Sequence, residues 1–352
     1  MKQRTRYSYY TVCVTALCLT TVACQKEREK ESFYPDVPMS VQMFSRGTSA
    51  ETGSTARLLF WNEEHLPEIS TGGTPYYECN LPESINDYSE EATVFKTGRY
   101  YPQLNTRVYA LGFAPSDLEQ VDVNNYSAYY LPVRNGMDTT VLASNSIVGS
   151  SVYVFRDPME FCPATTQFVF QAIRSKNMEN NLYVRNITIE MPHDAVPNIL
   201  KWDDDDLCYK AVHDNNLDRE DNEKGKIIDN PIDYIGNQLR VDAYAELGVR
   251  YLALPAGAES LNGIVVRAEL SYLQDFPQGD ETVTWYREWP DKANREEELA
   301  IPLRDTKGNP VTRVKPGESY LVTITFDHDA FTITAEQQDW IQGGKIPIPI
   351  IP

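Results

Sequence analysis

The side chains able to do chemistry are few and dispersed. Four histidines, His65, His193, His213 and His328, stand far apart in polar surroundings. His328 lies between Asp327 and Asp329, a trio that could hold a metal ion or titrate, although the polar turn of a hairpin accounts for it as well. The acidic stretches Asp203 to Asp206 and Asp214 to Asp221 offer oxygen ligands to calcium. They lack EF-hand spacing and its central glycine, so a solvated acidic loop is the simpler account. Cys79, Cys162 and Cys208 have unrelated spacings and form no CxxC, which leaves zinc and thioredoxin-type chemistry unsupported. At most one disulfide can form among them, and buried free thiols are expected. No GxSxG, HExxH, P-loop or dinucleotide fingerprint occurs. A glycosidase would need a carboxylate pair in a cleft, which abundant acids do not nominate. The expectation is a protein that is not an enzyme, with no catalytic residue, no metal and no cofactor.

Two covalent events near the amino terminus are better marked. Lys2, Arg4 and Arg6 form a basic region, and Val12 to Val22 an apolar one too short to span a bilayer as a helix. Thr20-Thr21-Val22-Ala23-Cys24 follows and resembles the lipobox of bacterial lipoproteins, with Thr21 where that pattern prefers Leu. The resemblance implies that residues 1–23 are removed and that the Cys24 thiol carries the lipid, palmitate included, that holds the protein on the outer membrane. An ordinary signal peptide ending at a chance cysteine is the alternative. Gln25 to Glu31 has no apolar residue to bury and reads as a tether. Val37, Met39, Val41 and Met43 then alternate with polar residues as one side of a short strand. The stretch from Ser45 to Ser54 is polar and small-residue rich, so Arg46-Gly47 offers a bond to a trypsin-like protease. Any exposed Arg would be cut; the site matters only if the rest of the chain needs that cut.

The elements behind these residues are strands. With 352 residues the chain accommodates two β domains, and its 22 Tyr and 22 Pro, with little helical periodicity, indicate an all-β class. A net charge of −19 repels nucleic-acid phosphates and anionic lipid heads, so nucleic acid is excluded as a partner. Strand signals recur at Arg57–Trp61, Ala92–Phe95, Arg107–Ala114, Ala128–Leu131 and Thr139–Ala143, with prolines at strand ends. A composition break near Asp157 to Pro163 separates them from Gln167–Ile173, Leu182–Glu190, Tyr251–Leu254, Gly263–Leu270, Thr282–Trp285 and Leu299–Leu303. Residues 203–206 and 213–223 read as a hydrophilic insertion. Near the end, Tyr320, Val322, Ile324 and Phe326 alternate with Leu321, Thr323 and Thr325 after the turn signal Pro316-Gly317. Phe331, Ile333 and Ala335 restart the alternation, so a β-hairpin is expected. The divisions are therefore 1–23, 24–53, 54–160, 161–340 and 341–352: leader, tether with removable strand and linker, two sandwiches, and a tail.

Several of these motifs in order carry a wider likeness. They are Thr97-Gly98-Arg99-Tyr100-Tyr101-Pro102, Val108 to Pro115, Thr139 to Ala143, Pro316 to Phe326, Phe331 to Ala335 and Trp340, behind the lipobox leader. Together they resemble the fimbrillin family of Bacteroidales, the pilin-like lipoproteins of type V fimbriae. Gln171, where many relatives carry His, and the acidic insertion depart from it. The resemblance implies two transthyretin-like β-sandwich domains in tandem and no active site. It implies an arginine-specific cut at Arg46-Gly47 that frees Val37 to Phe44 from a groove. A neighbour's extended segment then fills that groove. The expected partners are other fimbrial subunits, the outer membrane through the lipid, and a host or bacterial surface receptor. The expected location is the fimbrium, at the cell surface.

The tail bears on how such exchange would work. Ile346, Ile348 and Ile350 point one way as a donor strand's anchors would, while Pro347 and Pro349 lack N–H donors on the other edge. Such a segment bonds fully on one side only. A chain end lying on its own sheet edge is the competing reading. So is a surface lipoprotein that does not polymerise, serving as a fimbrial anchor or holding a glycan or host protein.

Overall fold

A computed structural model describes residues 36–340 apart from 46–54, 64–65, 67–72, 85–92, 103–104, 123–124, 132–139, 179–181, 218–231, 235–238, 242, 255–257, 275–282, 290–298 and 328–330. Among the described residues the chain is strands joined by turns and short 3-10 segments. In the first half these are β1 (Pro38–Ser45), β2 (Thr55–Asn62), β3 (Tyr77–Ser84), β4 (Thr93–Tyr100), β5 (Val108–Ala114), β6 (Gln120–Asp122), β7 (Asn125–Tyr130), β8 (Leu142–Ser144), β9 (Ile147–Gly149) and β10 (Met159–Pro163). In the second half they are β11 (Thr166–Arg174), β12 (Leu182–Glu190), β13 (Ile199–Asp203), β14 (Cys208–Val212), β15 (Ile232–Tyr234), β16 (Ala245–Leu252), β17 (Ser260–Gln274), β18 (Val283–Trp289), β19 (Leu299–Arg304), β20 (Ser319–Phe326) and β21 (Phe331–Gln338). The protein is all-β, as its composition and alternation indicate.

The first sheet runs β3-β2-β5-β8-β10-β1-β4, with β9 also on β5. It curls until its two edges meet: the Tyr77 hydroxyl on β3 donates to the Thr97 carbonyl on β4 at 3.0 Å, and Arg99 lies 5.0 Å from the Tyr77 ring centre. The second sheet runs β15-β12-β17-β19-β21-β20-β11-β16, with β18 also on β17. The expected hairpin is its β20–β21 pair, in unbroken register from Ser319 opposite Gln338 to Phe326 opposite Phe331. Tyr320, Val322, Ile324 and Phe326 are fully buried, as period two requires. β10 runs across residue 160, where the sequence suggests a boundary, and pairs with β1 and β8 of the first sheet.

A third sheet, β14-β13-β7-β6, joins the two halves. Residues 203–206 belong to it, which corrects the reading of an acidic insertion there. Asp203 ends β13 and Asp204 to Asp206 lie in the turn of the β13–β14 hairpin, in which Ile199 faces Val212 and Asp203 faces Cys208. Asp203 accepts from the N–H groups of Asp205 and Asp206 and pairs with Lys210 at 2.9 Å, so the turn's charge is answered locally. This sheet covers the outer face of β2 and β5. Trp61, Phe113, Tyr129, Trp202 and Tyr209 form one aromatic cluster there, with ring centres 4.5–6.1 Å apart. β2 and β5 are therefore buried on both faces. Leu58 and Phe60 look into the first sheet's core, Leu59 and Trp61 into the joining core.

Candidate functional site: the slot of the first strand

Met39, Val41 and Met43 alternate with Ser40 and Gln42, so period two gives β1 one apolar face. That face is sealed: the three side chains are at most 1% exposed and pack in one core with Leu58, Phe60, Leu81, Phe155 and Phe161. Removing each from water contributes about 1.5–3 kcal/mol. The other face is open, with Pro38 and Gln42 exposed and Ser40 half-buried. The strand is inserted between β4, to which it is antiparallel, and β10, to which it is parallel. It leads directly into residue 46, the position at which the sequence suggests cleavage.

The two neighbours hold different parts of it. β4 pairs from Pro38 opposite Tyr100 to Met43 opposite Thr93; β10 pairs only from Met43 opposite Met159 to Ser45 opposite Phe161. The Val37 carbonyl accepts from Tyr101 N–H at 2.9 Å and the Met39 carbonyl from the buried Thr97 hydroxyl at 3.0 Å, both on the β4 side. Thr97 reaches it because Gly98, at φ 71°, lets β4 bulge between its Tyr100 and Lys96 pairings. Strand alternation then turns the polar backbone of Val41 and Met43 towards β4, and that of Ser40, Gln42 and Phe44 towards β10. Of the latter, only Phe44 lies within the β10 pairing. The slot needs N–H and C=O groups on the β4 side along its length, and on the β10 side only at its end.

Aromatic residues close the entrance. The Tyr76 hydroxyl points to Met39 Sδ at 3.0 Å. The Tyr101 hydroxyl accepts from Phe155 N–H at 2.8 Å, and burial pushes its pKa up to about 12, so it stays neutral. Cys24, Arg46, Gly47, Ile346, Ile348, Ile350, His65 and His328 lie outside the described residues.

Among the described residues, those named for chemistry are not brought together. His193 sits in a single 3-10 turn. His213 bonds the Val196 carbonyl at 2.7 Å and Asn215 at 3.0 Å. Asp214 pairs with Lys201 at 3.3 Å. Cys79, Cys162 and Cys208 form no disulfide and are half-buried, not buried as expected: the strand faces they occupy are only partly covered. Gln171 donates to the Thr323 hydroxyl at 2.8 Å across β11 and β20, a structural role. The slot itself was signalled in the sequence by the alternation of Val37 to Met43. Its asymmetry was not, because pairing partners 50 or more residues away set it.

No family model matches the chain, and no curated protein matches it. Among solved structures it is similar to a candidate cell adhesion protein from Parabacteroides distasonis ATCC 8503, at 9% identity over 87% of this chain and 99% of that one, with a TM-score of 0.46. A fimbrial protein from Bacteroides vulgatus ATCC 8482 is similar at 9% identity over 84% of this chain and 98% of that one, TM-score 0.43. A fimbrilin from Porphyromonas gingivalis W83 is similar at 8% identity over 87% and 99%, TM-score 0.42.

Proposed function

We propose that this protein is a structural and adhesive subunit of a type V fimbria. It is exported as a lipoprotein through Cys24 and polymerised by strand exchange after cleavage at Arg46-Gly47. The observation that carries the reading is β1: a strand with one sealed apolar face, seated between two others, and joined to the rest of the fold only through the segment that holds Arg46. Cutting there turns an internal strand into a separable peptide. Its departure leaves N–H and C=O groups unpaired on β4 and β10 above an apolar floor, which is a template for another strand.

The tail has the pattern that this slot requires. Ile346, Ile348 and Ile350 take the places of Met39, Val41 and Met43, apolar side chains inward and N–H groups towards β4. Pro347 and Pro349 then fall at Ser40 and Gln42, where β1 has no pairing with β10. Ile351, which has an N–H, falls at Phe44, where that pairing is made. Shifting the tail by two residues towards the carboxyl end of β1 would put Pro349 at Phe44 and lose the bond. The donor is a second subunit. The tail's root lies where β1 finishes: Gln338 faces Ser319, the loop before Ser319 bonds Thr165, and Pro163 ends the strand beside β1. To seat Ile346 at Met39 within its own subunit, the six steps from Trp340, about 20–22 Å when drawn straight, would have to run back along about 20 Å of β1 and then turn to enter in the direction of β1.

Treating the purified precursor with an arginine-specific protease should give one truncation followed by ladders on a gel, and Arg46→Ala should abolish both. Protein that is cut but stays monomeric would instead favour a surface lipoprotein that anchors a fimbria or binds a glycan or host protein through its loops.

A further inference from the structure

The entrance of the slot carries an apolar surface that the fold does not use. Among the described residues the large hydrophobic side chains that stand exposed are Tyr76, Val94, Tyr100, Val148, Val152, Tyr153 and Val154, all in the first half of the chain. All but Val94 lie at one end of the first sheet, the end at which β1 begins. Tyr100 faces Pro38, the first residue of β1, and Tyr76 reaches Met39. Val148 is on β9 opposite Tyr109, at the start of β5.

Val152, Tyr153 and Val154 form a built projection. The Ser150 N–H donates to the Tyr153 carbonyl at 2.7 Å, and the Ser150 hydroxyl accepts from the N–H groups of Val152 and Tyr153 at 3.3 and 3.1 Å. Phe155 behind them is pinned to Tyr101, and Gly149 is so tightly enclosed that a Cβ there would come within 2.8 Å of both Phe155 and the Tyr101 hydroxyl. A turn held this firmly does not bury its own side chains by relaxing. Tyr153 remains 64% and Val152 55% exposed. Apolar residues grouped in this way at the surface mark a contact.

We infer that this projection, with Tyr76, Tyr100 and Val148 beside it, is the surface on which a second copy of the subunit docks. The inference rests on the strand-exchange reading. A strand entering in the direction of β1 passes this end first. Only Ile341 to Lys345 separate the donor's last described residue, Trp340, from the first inserted isoleucine, a distance of about 20–22 Å at full extension. The donor's body must therefore come to rest against the entrance. Before cleavage the same end carries the tether from Cys24, so cutting at Arg46 removes the lipid segment from the docking end and opens the slot together.

The test uses the full-length protein cut at Arg46 and the double variant Val152→Ser with Tyr153→Ser, both sites being exposed. Thermal unfolding of the uncut variant checks the fold, with Tyr100→Ser as an independent second variant. Each protein is assayed for uptake of a synthetic peptide of residues 341–352, for polymerisation, and, uncut, for binding to phosphatidylcholine vesicles. The expected result is unchanged peptide uptake with polymerisation slowed about tenfold or more, the size of losing one buried contact of an interface core. Polymerisation at the wild-type rate overturns the inference. So does loss of peptide uptake, which would place the effect in the slot. Loss of vesicle binding alone would assign the surface to lipid and overturn it also. Wild-type protein that takes up no peptide and forms no polymer would overturn the strand-exchange reading itself, and this inference with it.

Discussion

β1 and β11 occupy equivalent places in the two large sheets. Each is the first strand of its half, and each has a parallel neighbour on one side and an antiparallel one on the other: β10 and β4 for β1, β20 and β16 for β11. Their attachment differs. β11 pairs with β20 from Gln167 to Arg174 and with β16 from Thr166 to Ala172, and every residue but Ile173 is buried. Phe168, Phe170 and Ala172 serve one core, Val169 the joining core on the opposite face. β1 is paired on both sides at one end only and is buried on one face. The difference shows what the proposed strand exchange would require of a central strand: one specificity face, a polar back, and a cleavable segment beside it. β11 has none of these.

The largest expected effect is in β11. Phe170→Ala should lower stability by about 3–5 kcal/mol, and should do so equally in the precursor and in the polymer, read from denaturant midpoints. Met43→Ala should cost about 2–5 kcal/mol in the precursor yet, under the proposed strand exchange, leave the polymer's stability untouched, because that exchange removes β1. Equal losses in both forms from Met43→Ala would break the comparison. A smaller effect is expected of Thr97→Val. Deleting its buried bond to Met39 should cost about 0.5–1.5 kcal/mol and speed hydrogen exchange along β1, with β11 amides unchanged.

The smallest effect lies outside both strands and serves as their control. The Lys210 ammonium, bonded to Asp203, holds that carboxyl below the usual carboxylate range. A depressed folded value means that the stabilisation is complete at neutral pH and fades as pH falls below about 4, the unfolded carboxylate value. Both partners are partly exposed, so the contribution is about 0.2–1 kcal/mol. Asp203→Asn should flatten that part of the acid-unfolding curve without altering exchange in β1 or β11.

The sequence made some of this legible and left the rest to distant partners. The β20–β21 hairpin could be read from Tyr320 to Ala335 because its alternation is local and its turn polar. β1 could be read for the same reason. The β13–β14 hairpin was hidden by its own turn: four successive aspartates read as an insertion, although Leu200 and Trp202 before them and Tyr209 and Ala211 after them alternate. The half-burial of Cys79, Cys162 and Cys208 depends on which layer covers each strand, which no local pattern encodes. The Val152–Val154 projection gave no signal at all. Nothing local sets its direction: the Ser150 bonds and the crowding at Gly149 turn these three apolar residues outward.

The most direct test of the central claim is native mass spectrometry of the protein cut at Arg46 and mixed with a peptide of residues 341–352. The account predicts that the fragment carrying β1 leaves as the peptide joins, one for one, while the rest of the chain stays folded. A fragment that stays bound after cleavage, with no peptide taken up at any concentration, would contradict it.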